Sequence, residues 1–263
     1  LSSDGGVTYT DATGLDIAAY YNRIAYAADG TLYLDVTHDP NNTHGGKRLI
    51  RSVDGGASWT GVVLPILNYV SSIVTVPESP SLVYASDGMM LFGSTDGGAN
   101  WFLIGTPNGC GFNGVAVAPG EPSGIYVACN DLGVAHADYS PSAAWTVYGA
   151  AQGLTANGTG DVVQTNTLAA LYSPQGTPPT LIAGSSAGGL FRSTDGGAAW
   201  TPANDGFTST GIRAFATHPF DARIVLAGQA YGSDTSHGIF RSAALLKYSI
   251  EKRQPNPTNA ASD

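Results

Sequence analysis

Lysine and glutamate are almost missing from this 263-residue chain, which holds three of each, and only 12% of its residues are charged. Eleven basic residues face twenty acidic ones, for a formal charge of −9. With no basic stripe to neutralise phosphates, no nucleic-acid partner is expected. No apolar run approaches the roughly 18 residues of a membrane helix, so no membrane span is expected. No window carries a long amphipathic helical pattern either, which removes helical bundles and α/β folds. Only two cysteines are present, too few for a disulfide-dense scaffold.

Glycine is plentiful at 35 residues, and much of it sits in a repeat. Ser52-Val53-Asp54-Gly55-Gly56-Ala57-Ser58-Trp59 returns as Ser94-Thr95-Asp96-Gly97-Gly98-Ala99-Asn100-Trp101 and again as Ser193-Thr194-Asp195-Gly196-Gly197-Ala198-Ala199-Trp200. Ser2-Ser3-Asp4-Gly5-Gly6-Val7-Thr8-Tyr9 opens the chain with a fourth copy. The aspartates lie 50, 42 and 99 residues apart, and a weaker copy between Asp138 and Trp145 fills the long gap. Gly238-Ile239-Phe240-Arg241-Ser242 begins another without the aspartate. A hairpin every 42 to 55 residues suits one four-stranded propeller blade.

Around each hairpin the pattern alternates with period two and breaks at Gly, Asp or Pro, as strands do. One unit reads as strands at Ile24–Tyr26, Thr31–Leu34, Arg48–Ser52 and Trp59–Leu64; the last complete one reads from Ile212 to near Tyr248. The expected fold is therefore an all-β propeller over residues 1–250, with five complete four-stranded blades. Residues 1–10 supply a partial blade, and 251–263 read as a tail or linker. A five-bladed ring with an extra strand, a six-bladed ring with one incomplete blade, and a fragment of a larger propeller all remain open. The last two require another domain or chain to complete the ring.

The turn has a physical rationale. Its aspartate can accept backbone N–H bonds, its glycines tolerate positive φ, and its aromatic residue returns into the space between sheets. Asp4, Asp54, Asp96 and Asp195, with Trp59, Trp101 and Trp200, are accordingly structural candidates; Asp-Gly-Gly supplies too few oxygens for a calcium loop. Ser-x-Asp-x-Gly-x-x-Trp resembles the Asp-box, or bacterial neuraminidase repeat, found in sialidases, family 74 xyloglucanases, sortilin-type receptors and photosystem assembly factors. The resemblance implies a propeller whose boxes lie away from the ligand face.

The chain starts at Leu1 with no signal-like segment, consistent with a mature or excised product. Asn41-Asn42-Thr43 and Asn157-Gly158-Thr159 match the glycosylation pattern, and with few lysines they point to secretion. Cys110 and Cys129 flank a predicted hairpin and are expected to form a disulfide. Two buried thiols remain the alternative, because strict register sets Cys129 nearer Asn113.

Propeller ligands meet the loops joining second to third strands and outer to inner strands. The first group contains Asp35, Asp39, His38 and His44 in one long loop, Asp131 in another, and Tyr231 and Asp234 in a third. Connecting segments add Asp16, Tyr20, Tyr21, Asn22, Asn68, Tyr69, Asn113, Asn157 and Asp161, and the inner strands add Arg23 and Arg213. Tyrosines that stack on sugar faces and Asp or Asn that bond hydroxyls suit a neutral polysaccharide or other glycan. Asp35, Asp39 and Asp234 are the catalytic candidates, since two carboxylates across the mouth could share acid and base work. No cofactor or metal is expected; His38, Asp39 and His44 have the spacing of a loop rather than a metal motif.

Tyr21-Asn22-Arg23-Ile24 faintly resembles a sialidase opening, but Ala25 replaces its proline. Arg23 and Arg213 hold equivalent inner-strand positions, and no third arginine joins them; Arg51, Arg192 and Arg241 sit beside the box. Gly189-Leu190-Phe191-Arg192-Ser193 and His218-Pro219-Phe220-Asp221-Ala222-Arg223 look more like family 74 units. That resemblance implies a cleft between two propellers with one catalytic aspartate from each, neither of which can be placed here by motif. The expected function is an extracellular carbohydrate-active propeller, possible as a glycoside hydrolase or a piece of one. A non-catalytic propeller binding a protein or glycan is the alternative.

Overall fold

The computed structural model describes residues 7–8, 15–16, 18–64, 69–118, 121–140, 143–155, 160–171, 177–205, 207, 211–218, 221–229, 239–244 and 249–252. Its strands form five four-stranded antiparallel sheets, each a simple meander. Blade I holds β1 (Ile24–Tyr26), β2 (Leu32–Asp35), β3 (Leu49–Ser52) and β4 (Thr60–Val62). Blade II holds β5 (Ser72–Thr75), β6 (Val83–Ser86), β7 (Leu91–Ser94) and β8 (Phe102–Leu103). Blade III runs from β9 (Phe112–Ala118) through β10 (Glu121–Cys129) and β11 (Gly133–Asp138) to β12 (Thr146–Tyr148). Blade IV has β13 (Thr165–Leu171), β14 (Thr180–Ser185), β15 (Leu190–Ser193) and β16 (Thr201–Pro202). Blade V has β17 (Ile212–His218), β18 (Asp221–Gln229), β19 (Ile239–Ala244) and β20 (Ser249–Lys252). The partial blade expected at residues 1–10, with Asp4, falls outside the described residues apart from Val7 and Thr8.

The inner strands stand side by side in the order β1, β5, β9, β13, β17. Blades stack face to face, so the second strands β6 and β14 of the inner blades meet a neighbour on both sides, and β2 lies between blade II and the side chains of Leu15, Tyr21 and Trp59. That is why β2, β6 and the hydrophobic stretch of β14 are buried throughout instead of alternating. One device recurs between blades. Tyr33 of β2 donates its hydroxyl to the Gly97 carbonyl in the turn of blade II, at 2.9 Å. Tyr84 of β6 packs edge-on against Tyr139, at the end of β11 in blade III. Tyr126 of β10 joins the cluster containing Trp200 of blade IV. Burial raises the Tyr33 phenol to about 12, so it remains a donor at any ordinary pH.

The repeated turn closes on itself. Ser52 Oγ donates to Asp54 Oδ1 at 2.7 Å and accepts from Gly56 N at 2.8 Å, while Asp54 Oδ1 also accepts from Ser58 N at 2.9 Å. Ser94, Asp96, Gly98 and Asn100 repeat these bonds, as do Ser193, Asp195, Gly197 and Ala199. Gly56, Gly98 and Gly197 hold φ of 91°, 80° and 101°, where a Cβ would be strained. Donors set the acidity. The Asn100 backbone N–H, then its side-chain amide, bring Asp96 down to about 2. Burial pushes Asp195 up, but the Ala199 N–H and the Ser193 hydroxyl outweigh it and leave the carboxyl lowered.

Cys110 and Cys129 form a disulfide across blade III, with Cα atoms 5.1 Å apart. The β9–β10 register shifts between Ala128 and Cys129, so Cys129 pairs with Phe112 and not Asn113. That slip lets Cys129 reach Cys110, which strict register made awkward.

Candidate functional site

In every blade the inner strand begins, and the third strand begins, at one end of the propeller; the Ser-x-Asp-Gly-Gly turns of blades I, II and IV follow the third strand at the other end. At the first end the inner-strand starts enclose an axial pocket of about 290 Å³. It is lined by Arg23, Tyr69, Ser71, Asn113, Asn166 and Arg213, so every blade contributes.

Three of these residues arrive by the same structural route. The ladder shifts between Gly114 and Phe112 in blade III, between Thr165 and Thr167 in blade IV, and between Ile212 and Ala214 in blade V. The residues left without a ladder partner are Asn113, Asn166 and Arg213. A β-bulge frees a residue from the pleat and re-aims its side chain, here towards the axis. Asn113 Nδ2 then donates to Asn130 Oδ1 at 2.6 Å, leaving its own carbonyl oxygen available to a ligand. Asn166 Nδ2 is buried and has no acceptor among the described residues. Ser71 shares a hydroxyl–hydroxyl bond of 2.7 Å with Ser86.

Arg23 is held differently. Its Nη1 donates to the Val70 carbonyl at 3.0 Å and lies 3.6 Å from Asp35 Oδ2. Asp35, at the end of β2, has a fully buried side chain. Its Oδ1 accepts the Asn22 and Arg23 N–H groups at 2.6 and 2.7 Å, and its Oδ2 accepts the Thr37 hydroxyl at 2.9 Å. A carboxylate so enclosed positions Arg23 and the entry to β1; it presents no free oxygen to a substrate. Arg213, by contrast, makes no ion pair among the described residues.

The other acidic candidates near blade I lock a loop. Asp39 is only 7% exposed and accepts from Thr43 N, Thr43 Oγ1 and His44 N at 3.0, 3.0 and 2.8 Å. Burial raises its carboxyl, but these donors prevail and the net direction is downward. Asp16 accepts from Ala18 N and Asn41 Nδ2, which lower its carboxyl in that order of weight. The Tyr21 hydroxyl meets His44 Nε2 at 3.2 Å, tying residues 16–21 to the 39–44 loop. His38 belongs instead to Tyr20, through an isolated bridge and a ring contact at 5.5 Å. Among the described residues no three His, Cys, Asp or Glu side chains gather around a point.

The pocket thus brings together Arg23, Tyr69, Asn113 and Arg213 from the sequence-selected residues. Asp16, Tyr20, Tyr21, Asp35 and Asp39 lie to one side in blade I, and the exposed Asp131 and Asp161 do not line it. Asn68, Tyr231 and Asp234 lie outside the described residues. Ser71 and Asn166 were missed. Asn166 follows Asp161 by only five residues, and counting back from the turn cannot tell which of them a bulge aims inward. The resulting surface is rich in donors, carries two guanidinium groups and offers the exposed Tyr69 as a flat apolar wall. Such a lining holds an oxygen-rich molecule by hydrogen bonds and ring stacking. It contains no carboxylate pair among the described residues.

No protein-family model and no curated protein matches this sequence. Solved structures do match. A GH74 enzyme of Niastella koreensis aligns with a TM-score of 0.58 at 17% identity, over 87% of this chain and 37% of its own. The GH74 xyloglucanase from Xanthomonas campestris aligns with a TM-score of 0.58 at 21% identity, over 85% of this chain and 36% of its own. YCF48 bound to D1 peptide gives 0.54 at 12% identity, over 89% of this chain and 66% of its own. At these identities the likeness shows the fold alone, a β-propeller. The chain spans little more than a third of the GH74 structures it matches.

Proposed function

We propose that this protein is an extracellular propeller that binds a glycan in its axial pocket and does not hydrolyse it with the residues described. The observation that carries the reading is the convergence of polar side chains from all five blades on one hollow. Tyr69 supplies the stacking face. Arg23, pre-set by Asp35, and Arg213 supply charge-assisted donors to ligand oxygens. The buried Cys110–Cys129 bridge supports an oxidising, extracellular setting.

Binding is tested by affinity electrophoresis through a panel of plant and microbial polysaccharides. Wild type should be retarded by at least one, and Arg213→Gln should weaken that retention by about tenfold, the loss expected for one charge-assisted hydrogen bond. No retention anywhere in a broad panel would end the glycan reading. Likeness to GH74 folds keeps a hydrolytic version in view. It needs two carboxylates at the ligand, and Asp35 and Asp39 are already occupied by their own backbone neighbours. New reducing ends released from a retained polysaccharide would establish that version instead.

A further inference from the structure

Among the described residues, blade V carries an exposed copy of the surface with which every other blade grips its neighbour. The ladders put Tyr33, Tyr84, Tyr126, Ile182 and Leu226 at one equivalent position on the second strand; their third-strand partners are Arg51, Gly93, His136, Arg192 and Arg241. In blades I to IV this residue is buried against the following blade, as Ile182 is against Ile212 and Val225 of blade V. Leu226 is 36% exposed.

The third strand tells the same story. Leu49, Leu91, Val134 and Leu190 hold one register position and are all buried, whereas their equivalent Ile239 is 64% exposed. Arg241 completes the set. Its counterpart Arg51 donates to the Gly97 carbonyl in the Asp-Gly-Gly turn of the next blade at 2.6 Å. Leu226, Ile239 and Arg241 therefore share one face, apolar towards the middle and cationic at the end where a neighbour's turn belongs.

We infer that this face binds a further four-stranded blade carrying the Ser-x-Asp-Gly-Gly turn, whose glycine carbonyl accepts from Arg241. The inference goes beyond the glycan reading and does not depend on it. What supports it is continuity. The same three positions already make the blade I to blade II interface, and an exposed apolar sheet face is otherwise an aggregation hazard. A peptide or a flat partner would not supply a turn carbonyl at the arginine together with apolar side chains over both β18 and β19.

The test adds such a blade to the full chain. A copy of blade II, residues 69–104, is fused after Asp263, because blade II is the unit that the equivalent face of blade I accepts. Ile239→Cys is placed in both the original and the extended chain, and its alkylation rate is compared with that of Val147→Cys, exposed on the outer strand of blade III. Alkylation at position 239 should be fast in the original chain and fall by about tenfold or more in the extended one, with position 147 unchanged. Arg241→Ala should restore much of the lost reactivity in the extended chain and change nothing in the original. Equal labelling of position 239 in both chains would overturn the inference. So would protection in the original chain accompanied by a doubled mass in light scattering, because the occupant would then be a second copy.

Discussion

Replacing Trp200 by alanine separates packing from hydrogen bonding in the repeated turn. Trp200 is 4% exposed and lies in the cluster with Tyr126, Leu154, Leu168 and Leu181, between blades III and IV. Its backbone N–H also donates to the Gln152 carbonyl at 2.7 Å, which anchors the chain without any help from the indole. An indole buries roughly 150–250 Å². At about 25 cal/mol per Å², with alanine retaining part of the area, the transfer loss is about 3–4 kcal/mol. Adding a partly relaxed cavity gives a cost of about 3–5 kcal/mol. Asp195→Ala leaves the indole in place but removes the acceptor for Ser193 Oγ and Ala199 N, at a cost of about 1–3 kcal/mol. Trp59 and Trp101 are only half-buried, so their alanine variants should lose less than Trp200→Ala. Urea unfolding followed by far-ultraviolet circular dichroism gives all four values, provided the m-value holds. An Asp195→Ala loss equal to or larger than that of Trp200→Ala would refute the packing argument. Negligible losses for both would mean that the turns are not part of the folded interface.

Acid should weaken the fold through the turn carboxylates. Asp96 is lowered from 3.8 to about 2, and Asp54 is lowered further by the Ser58 and Ser52 hydroxyls. Because these folded values lie below the unfolded ones, their contribution is present above about pH 4 to 5 and is lost as pH falls towards 2. Urea midpoints should drop over that interval, and less steeply in Asp96→Asn; a flat midpoint would contradict the assignment. Gly153 has φ of 98°, and a Cβ there would overlap the Trp200 carbonyl. Gly153→Ala should therefore cost about 1–3 kcal/mol from the backbone alone, with the overlap adding to it, as read from the melting temperature.

Much of the propeller was legible because its strongest signals are local. Ser-x-Asp-Gly-Gly-x-x-Trp encodes a turn whose bonds span four residues, so three copies placed β3–β4, β7–β8 and β15–β16 before any long-range contact was known. The tyrosine series was not legible. Tyr33 precedes its blade's turn aspartate Asp54 by far more than Tyr84 precedes Asp96, because the loop after β2 is long and the loop after β6 is short. Asp35 stood out as a carboxylate beside a polar loop, but sequence cannot report that Asn22, Arg23 and Thr37 fill its oxygens and its side chain is buried. The pocket was only half visible for a related reason. Arg23 and Arg213 could be aligned by register, whereas Asn166 enters through a bulge that depends on how β13 and β14 finally pair.

Amide chemical-shift mapping of the labelled protein, titrated with a polysaccharide fragment that retards it, tests the axial site most directly. Shifts should cluster at the inner-strand starts, around residues 22–23, 69–71, 113, 166 and 213, and should leave the turns at 54–58, 96–100 and 195–199 unmoved. Shifts concentrated on those turns, with the amides around the axial pocket unchanged, would contradict the account.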